Sequence, residues 1–148
     1  MVVQSGVVPE FYRATYRDWL DTPDDNAVRE LIHGEIYVNP PPSVRHQRLS
    51  GRLFVALGQA LGDRGEVFHA PLGVRLSDED VPEPDLVVVL AEHRDRIGER
   101  VIEGPPDLVV EILSRGTAQR DLVSKCALYE AHALLDVSAK FALGARAR

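Results

Sequence analysis

Two short, almost continuously apolar runs stand out along the chain: Val81-Pro82-Glu83-Pro84-Asp85-Leu86-Val87-Val88-Val89-Leu90 and Pro106-Asp107-Leu108-Val109-Val110-Glu111-Ile112-Leu113-Ser114. Both are rich in β-branched residues and introduced by proline, the pattern of central strands covered on both faces. Upstream, Arg29–Ile32, His33-Gly34 and Glu35–Val38 read as a hairpin, because both turn residues tolerate positive φ. Opposing Ile32 to Glu35 puts Glu30, Ile32, Glu35 and Tyr37 on one face and Leu31, Ile36 and Val38 on the other. Thr15 caps a short helix from Tyr16 to Leu20. After the stiff Pro40-Pro41-Pro42, Ser43 caps the longest helix, which runs to about Asp63. Its apolar stripe is Leu49, Leu53, Ala56, Leu57, Ala60 and Leu61, with His46 one turn earlier and Arg45, Arg48 and Arg52 to the side. Residues 66–76 read as a strand bent near Pro71-Leu72-Gly73. A long connection over 92–106 separates the two apolar runs. A helix from about Ala118 to Ala131 turns Leu122, Cys126 and Tyr129 inward. This order predicts an α/β or α+β sandwich with a mixed sheet.

Composition narrows the picture. A chain of 148 residues, 45% apolar and 27% charged, is one ordinary globular domain. The expected boundaries are a loose arm over 1–14, a domain over 15–131 and an atypical tail over 132–148. One cysteine, Cys126, permits no internal disulfide and suits a reducing cytoplasm. No apolar run reaches membrane-spanning length, and the amino terminus lacks a signal pattern. A net charge of −6 argues against broad non-specific nucleic-acid binding, although it leaves room for a local basic groove. Lys125 and Lys140 are the only lysines, so the position of each carries information.

Candidate chemistry begins with Glu111. An ionised carboxylate inside an apolar strand costs several kcal/mol unless it meets a cation, a metal or water. Asp85 at the entrance of one strand and Glu111 within the next would make a site for a hard divalent cation. Lys125, on the following helix, reaches back toward the same end of the sheet. Glu30 and His46 are candidates for its outer part. Each residue also has an ordinary alternative. Asp85 suits a strand entrance, Lys125 suits a surface pair with Asp121 one turn away, and Glu30 suits a solvated strand face. His46 suits a helix boundary. The Arg45, Arg48, Arg52 row suits a solvated face, or one that meets phosphate.

Taken together, Glu30-Leu31-Ile32-His33-Gly34-Glu35, His46, Pro84-Asp85, Glu111-Ile112-Leu113-Ser114, Asp121 and Lys125 through Tyr129 resemble the Uma-type family of restriction endonucleases. This is a branch of the PD-(D/E)XK nuclease superfamily, and the resemblance covers roughly residues 15 to 130. The superfamily's lysine usually follows the strand glutamate by two residues, where this chain has Leu113; Lys125 matches its migrated position on the next helix. The resemblance implies a restriction-endonuclease-like mixed central sheet flanked by helices, with Asp85 and Glu111 as metal ligands. It also implies Lys125 as catalytic lysine, Glu30 as accessory acid, Mg²⁺ or Mn²⁺ as cofactor and DNA as substrate. After Tyr129 the chain departs from the family, being short and Ala-rich where a further core strand is expected. The exposed sheet edge this predicts would need cover, and one candidate is a second copy in a homodimer. An alternative reading is a catalytically inactive nuclease fold retained for binding or dimerisation.

Overall fold

The computed structural model describes residues 12–113 and 118–132. Three helices and seven strands alternate through them: α1 (Tyr16–Leu20), β1 (Arg29–Ile32), β2 (Glu35–Val38), α2 (Val44–Leu61), β3 (Gly65–His69), β4 (Gly73–Arg75), β5 (Leu86–Leu90), β6 (Val101–Glu103), β7 (Leu108–Val110) and α3 (Ala118–Ala131). The hairpin forms as its pattern requires, with Glu30 opposite Tyr37 and Ile32 opposite Glu35. His33 and Gly34 both take positive φ at its turn. The Ser43 hydroxyl accepts from the His46 backbone N–H at 3.1 Å and starts α2.

The two apolar runs become neighbouring strands, β5 and β7, which pair antiparallel with Leu86 opposite Val110 and Val88 opposite Leu108. β3 flanks β5 on its other side, also antiparallel, so β5 is the centre of a three-stranded sheet. Leu86, Val87, Val88 and Val89 are all buried, as a strand covered on both faces must be. Val87, Val89 and Val109 join Val74, Ile102 and Tyr129 in the main core. The parallel pairing of the mixed architecture is carried by a separate small sheet, β4 beside β6.

Three expectations need correction. The bent strand over 66–76 is two strands in different sheets, since Ala70-Pro71-Leu72 interrupts it. The first apolar run is a strand only from Leu86, because Pro82 and Pro84 have no N–H to give to a ladder. The preceding segment is nevertheless fixed. Val81 and Leu31 exchange backbone hydrogen bonds, Val74 N–H donates to Pro82 O, and Ala70 N–H donates to Asp85 O. On α2, Ala56 and Ala60 are exposed, and the inward row is His46, Leu49, Ser50, Leu53, Phe54, Leu57 and Leu61. Residues 1–11 of the expected arm lie outside the described residues, and Ala14 is buried against Leu31 and Val81. The expected loss of a strand after residue 132 lies outside the described residues. Among those described, no helix is long and apolar enough to cross a membrane.

Gly73 marks the joint between the two core clusters. A Cβ there would lie 2.7 Å from the Trp19 indole and 2.9 Å from Val81. Replacing Gly73 by Ala is therefore expected to lower stability by about 1–3 kcal/mol through overpacking. Gly51→Ala, at a position on α2 with open space around it, should stabilise by up to about 1 kcal/mol. Urea unfolding of the two variants checks both signs.

Candidate active site

The antiparallel pairing of β5 and β7 brings the start of one strand beside the end of the other, so Asp85 and Glu111 arrive at the same end of the sheet. Each carboxylate is fixed. Asp85 Oδ2 accepts the Ile112 backbone N–H at 2.6 Å, and Asp85 Oδ1 faces His46 Nε2 at 3.0 Å. Glu111 Oε1 accepts the Tyr129 hydroxyl at 2.6 Å and the Lys125 ammonium at 3.1 Å. Lys125 and Tyr129 are one turn apart on α3, which puts both on the face turned to Glu111.

Lys125 does more than meet Glu111. Its Nζ lies 2.7 Å from Glu30 Oε1, so one ammonium bridges the first strand of the hairpin and the end of β7. Glu30 is 4% exposed and is therefore not a solvated strand residue. It stands behind Lys125, where Asn39 Nδ2 donates to its Oε2 at 2.9 Å and Glu83 N–H donates to its Oε1 at 2.8 Å. A cleft of about 590 Å³ opens in front, lined among others by His46, Phe54, His69, Glu83, Asp85, Glu111 and Lys125. Arg45, Arg48 and Arg52 are exposed on α2 and do not line it; Gln47, Ser50 and Gly51 occupy that wall instead.

Charge is unevenly distributed. Glu30, Glu83 and Glu111 lie about a single ammonium, and Asp85 lies near enough to Glu111 to act on its charge. Burial pushes the Glu111 carboxyl above its ordinary range; Lys125 opposes that rise, while Glu30 and Asp85 add to it. Burial, aided by the charge of Glu30, raises Glu83 to about 7. Burial also works against the Lys125 ammonium, but Glu111 and Glu30 outweigh it and hold its pKa above the usual lysine value. Lys125 is thus a permanent cation at neutral pH and suits donating hydrogen bonds rather than accepting a proton.

A divalent cation fits this donor set on two grounds: an excess of buried carboxylates, and two hard oxygen donors, Asp85 and Glu111, on one cleft wall. Magnesium is commonly held by one or two carboxylates, with water and substrate oxygens completing its shell. Among the described residues, no three His, Cys, Asp or Glu side chains gather into a ready metal cage.

Two residues of this cluster escaped the sequence reading as site members. Glu83 precedes Asp85 by two residues, and both line the cleft. That spacing was the available signal, masked by the prolines around it. Tyr129 reads as a core aromatic, and is one. Its distance of four residues from Lys125 was the clue to its second role.

Paired strand-end carboxylates and a helix-borne lysine thus sit on an α+β scaffold of small sheets and flanking helices. The same fold is found in the crystal structure of a putative nuclease belonging to DUF820 from Anabaena variabilis. That structure has a TM-score of 0.67 and 21% identity to this chain, and the match covers 80% of this chain and 68% of the other. The chain belongs to the Uma2 family, described as "Putative restriction endonuclease", whose model matches residues 10–137. None of the curated proteins matches it.

The raised carboxyl groups set a pH dependence. A carboxyl whose pKa is higher in the folded state stabilises the fold fully below its ordinary pKa of 4.5, and that contribution is lost as pH rises through about 7. Glu111 acts in the same direction. Lys125, raised, keeps its contribution throughout this window. Thermal melts in chelator should therefore show the metal-free protein losing on the order of 1–3 kcal/mol between pH 5 and pH 8. Glu83→Gln should flatten the slope.

Proposed function

We propose that this protein is a divalent-metal-dependent endonuclease that hydrolyses phosphodiester bonds in DNA. The observation that carries the proposal is the Lys125 ammonium held 3.1 Å from Glu111, itself brought by strand pairing to the same cleft as Asp85. Asp85 and Glu111 are the residues to hold Mg²⁺ or Mn²⁺, which when bound would neutralise charge on the phosphate and make water a better nucleophile. The remaining work falls to the chain itself. Lys125 donates hydrogen bonds to the attacking water or to the phosphate oxygens, where charge grows in the transition state. Glu30, which does not line the cleft, acts by keeping the ammonium aimed. Tyr129 fixes the rotamer of Glu111; His46 and the Ile112 N–H fix both oxygens of Asp85. The family description supports the nuclease reading.

The specific expectation is that Asp85→Ala, Glu111→Ala and Lys125→Ala each lower Mg²⁺-dependent plasmid cleavage by at least about 10²-fold. Glu30→Gln should cost less, because it loosens the lysine rather than removing it. Cleavage at the wild-type rate by the Asp85 and Glu111 variants would sink the assignment. A second reading is a catalytically inactive nuclease fold retained for binding or dimerisation. Tight Mn²⁺ binding without cleavage of any DNA tested would select it.

A further inference from the structure

We infer that Glu83 is a third carboxylate of the cation site, acting through the ion's bound water and setting how tightly the site holds a divalent metal. The inference rests on the proposed metal site at Asp85 and Glu111, and goes beyond it by giving a function to a residue outside that pair.

Glu83 is 9% exposed, and its Oε2 has no hydrogen-bond partner among the described residues. A buried carboxylate oxygen left unpaired is costly, and native structures rarely keep one without something to meet it. The residue also lines the cleft that Asp85 and Glu111 line. Its position is imposed rather than incidental. Pro82 and Pro84 restrict the segment on both sides, and the Glu83 backbone N–H is held by Glu30 Oε1 at 2.8 Å. A backbone hydrogen bond from Arg29 holds the carboxyl itself. Glu83 and Asp85, two residues apart, both line the cleft.

Lys125 does not meet the need of the free oxygen: its ammonium bonds Glu30 and Glu111 and makes no hydrogen bond to Glu83 Oε2. Nor does direct ligation follow, because no three of the described acids gather closely enough to share one ion. Magnesium gives up its water reluctantly and is usually bound with several waters in place. A buried acceptor at the edge of such a site takes a hydrogen bond from one of those waters. Partners of that outer kind typically change metal affinity by roughly 10–100-fold when lost.

Titration calorimetry with Mn²⁺ tests this on the full chain, beside circular dichroism and metal-free melts. Glu83→Gln should weaken Mn²⁺ binding by about tenfold or more, with an unchanged spectrum and a metal-free melting temperature at neutral pH no lower than wild type. Wild-type affinity in that variant overturns the inference. Should Glu83→Gln fold poorly, Glu83→Asp carries the test. Its retracted carboxylate predicts a loss of at least about threefold, and undiminished affinity there overturns the inference equally. Failure of the underlying reading looks different. Asp85→Ala and Glu111→Ala would then bind Mn²⁺ as wild type does, whatever happens at Glu83.

Discussion

The site depends on one ammonium. Lys125 ties α3 to β1 through Glu30 and to the end of β7 through Glu111, at 2.7 and 3.1 Å. These elements share no backbone ladder, so the ion pairs are a principal polar tie among them at this end of the fold. Burying three charged groups is expensive, and an all-apolar replacement would often be as stable or more so. What the cluster gains is direction. The ammonium is held at the cleft wall with its donors committed on one side, and the carboxylate it fixes belongs to the next strand-end pair.

The supports behind that cluster are rigid for simple reasons. β5 is buried on both faces and paired on both edges, so Asp85 at its entrance inherits a fixed backbone. The Ile112 N–H reaches across to Asp85 Oδ2, which couples the two strand ends through more than side-chain contact. Tyr129 serves two environments at once, its ring in the main core and its hydroxyl on Glu111. Core packing thereby restrains a site carboxylate directly, and a loosened α3 would disturb the core and the site together.

Much of this was legible in the sequence, for identifiable reasons. The hairpin register followed from turn chemistry at His33-Gly34, and the β5–β7 pairing from two valine-rich runs of strand length. Glu111 announced itself because an acid in an apolar strand needs a partner. What escaped was what period and propensity do not encode. The break at Ala70-Pro71-Leu72 separates two sheets whose strands read as one. The apolar row of α2 was drawn through Ala56 and Ala60, small enough to be tolerated in solvent, and missed Phe54, which meets His69 edge-on at 5.4 Å. Glu30 looked solvated because alternation assigns a face without saying what covers it. Its partners are Lys125 and the Glu83 backbone, both distant in sequence, and Asn39 just past the hairpin.

The same long-range gathering explains why the site is electrostatically unfinished. Each acid has a local justification: Glu30 on a strand, Glu83 between prolines, Asp85 at a strand entrance, Glu111 at a strand end. Only the fold makes them neighbours, and folding supplies one lysine against four carboxyls. Two of the four respond by holding their protons to higher pH. A scaffold selected for stability alone would exchange such residues for amides or apolar side chains, since a polar core cluster left partly unsatisfied is worse than none. Here Glu83, Asp85 and Glu111 lie along the wall of a cleft, with an oxygen of Glu83 unpaired among the described residues. Retaining that surplus at a cost to the metal-free fold is the physical reason to read the cleft as a place for a positively charged guest.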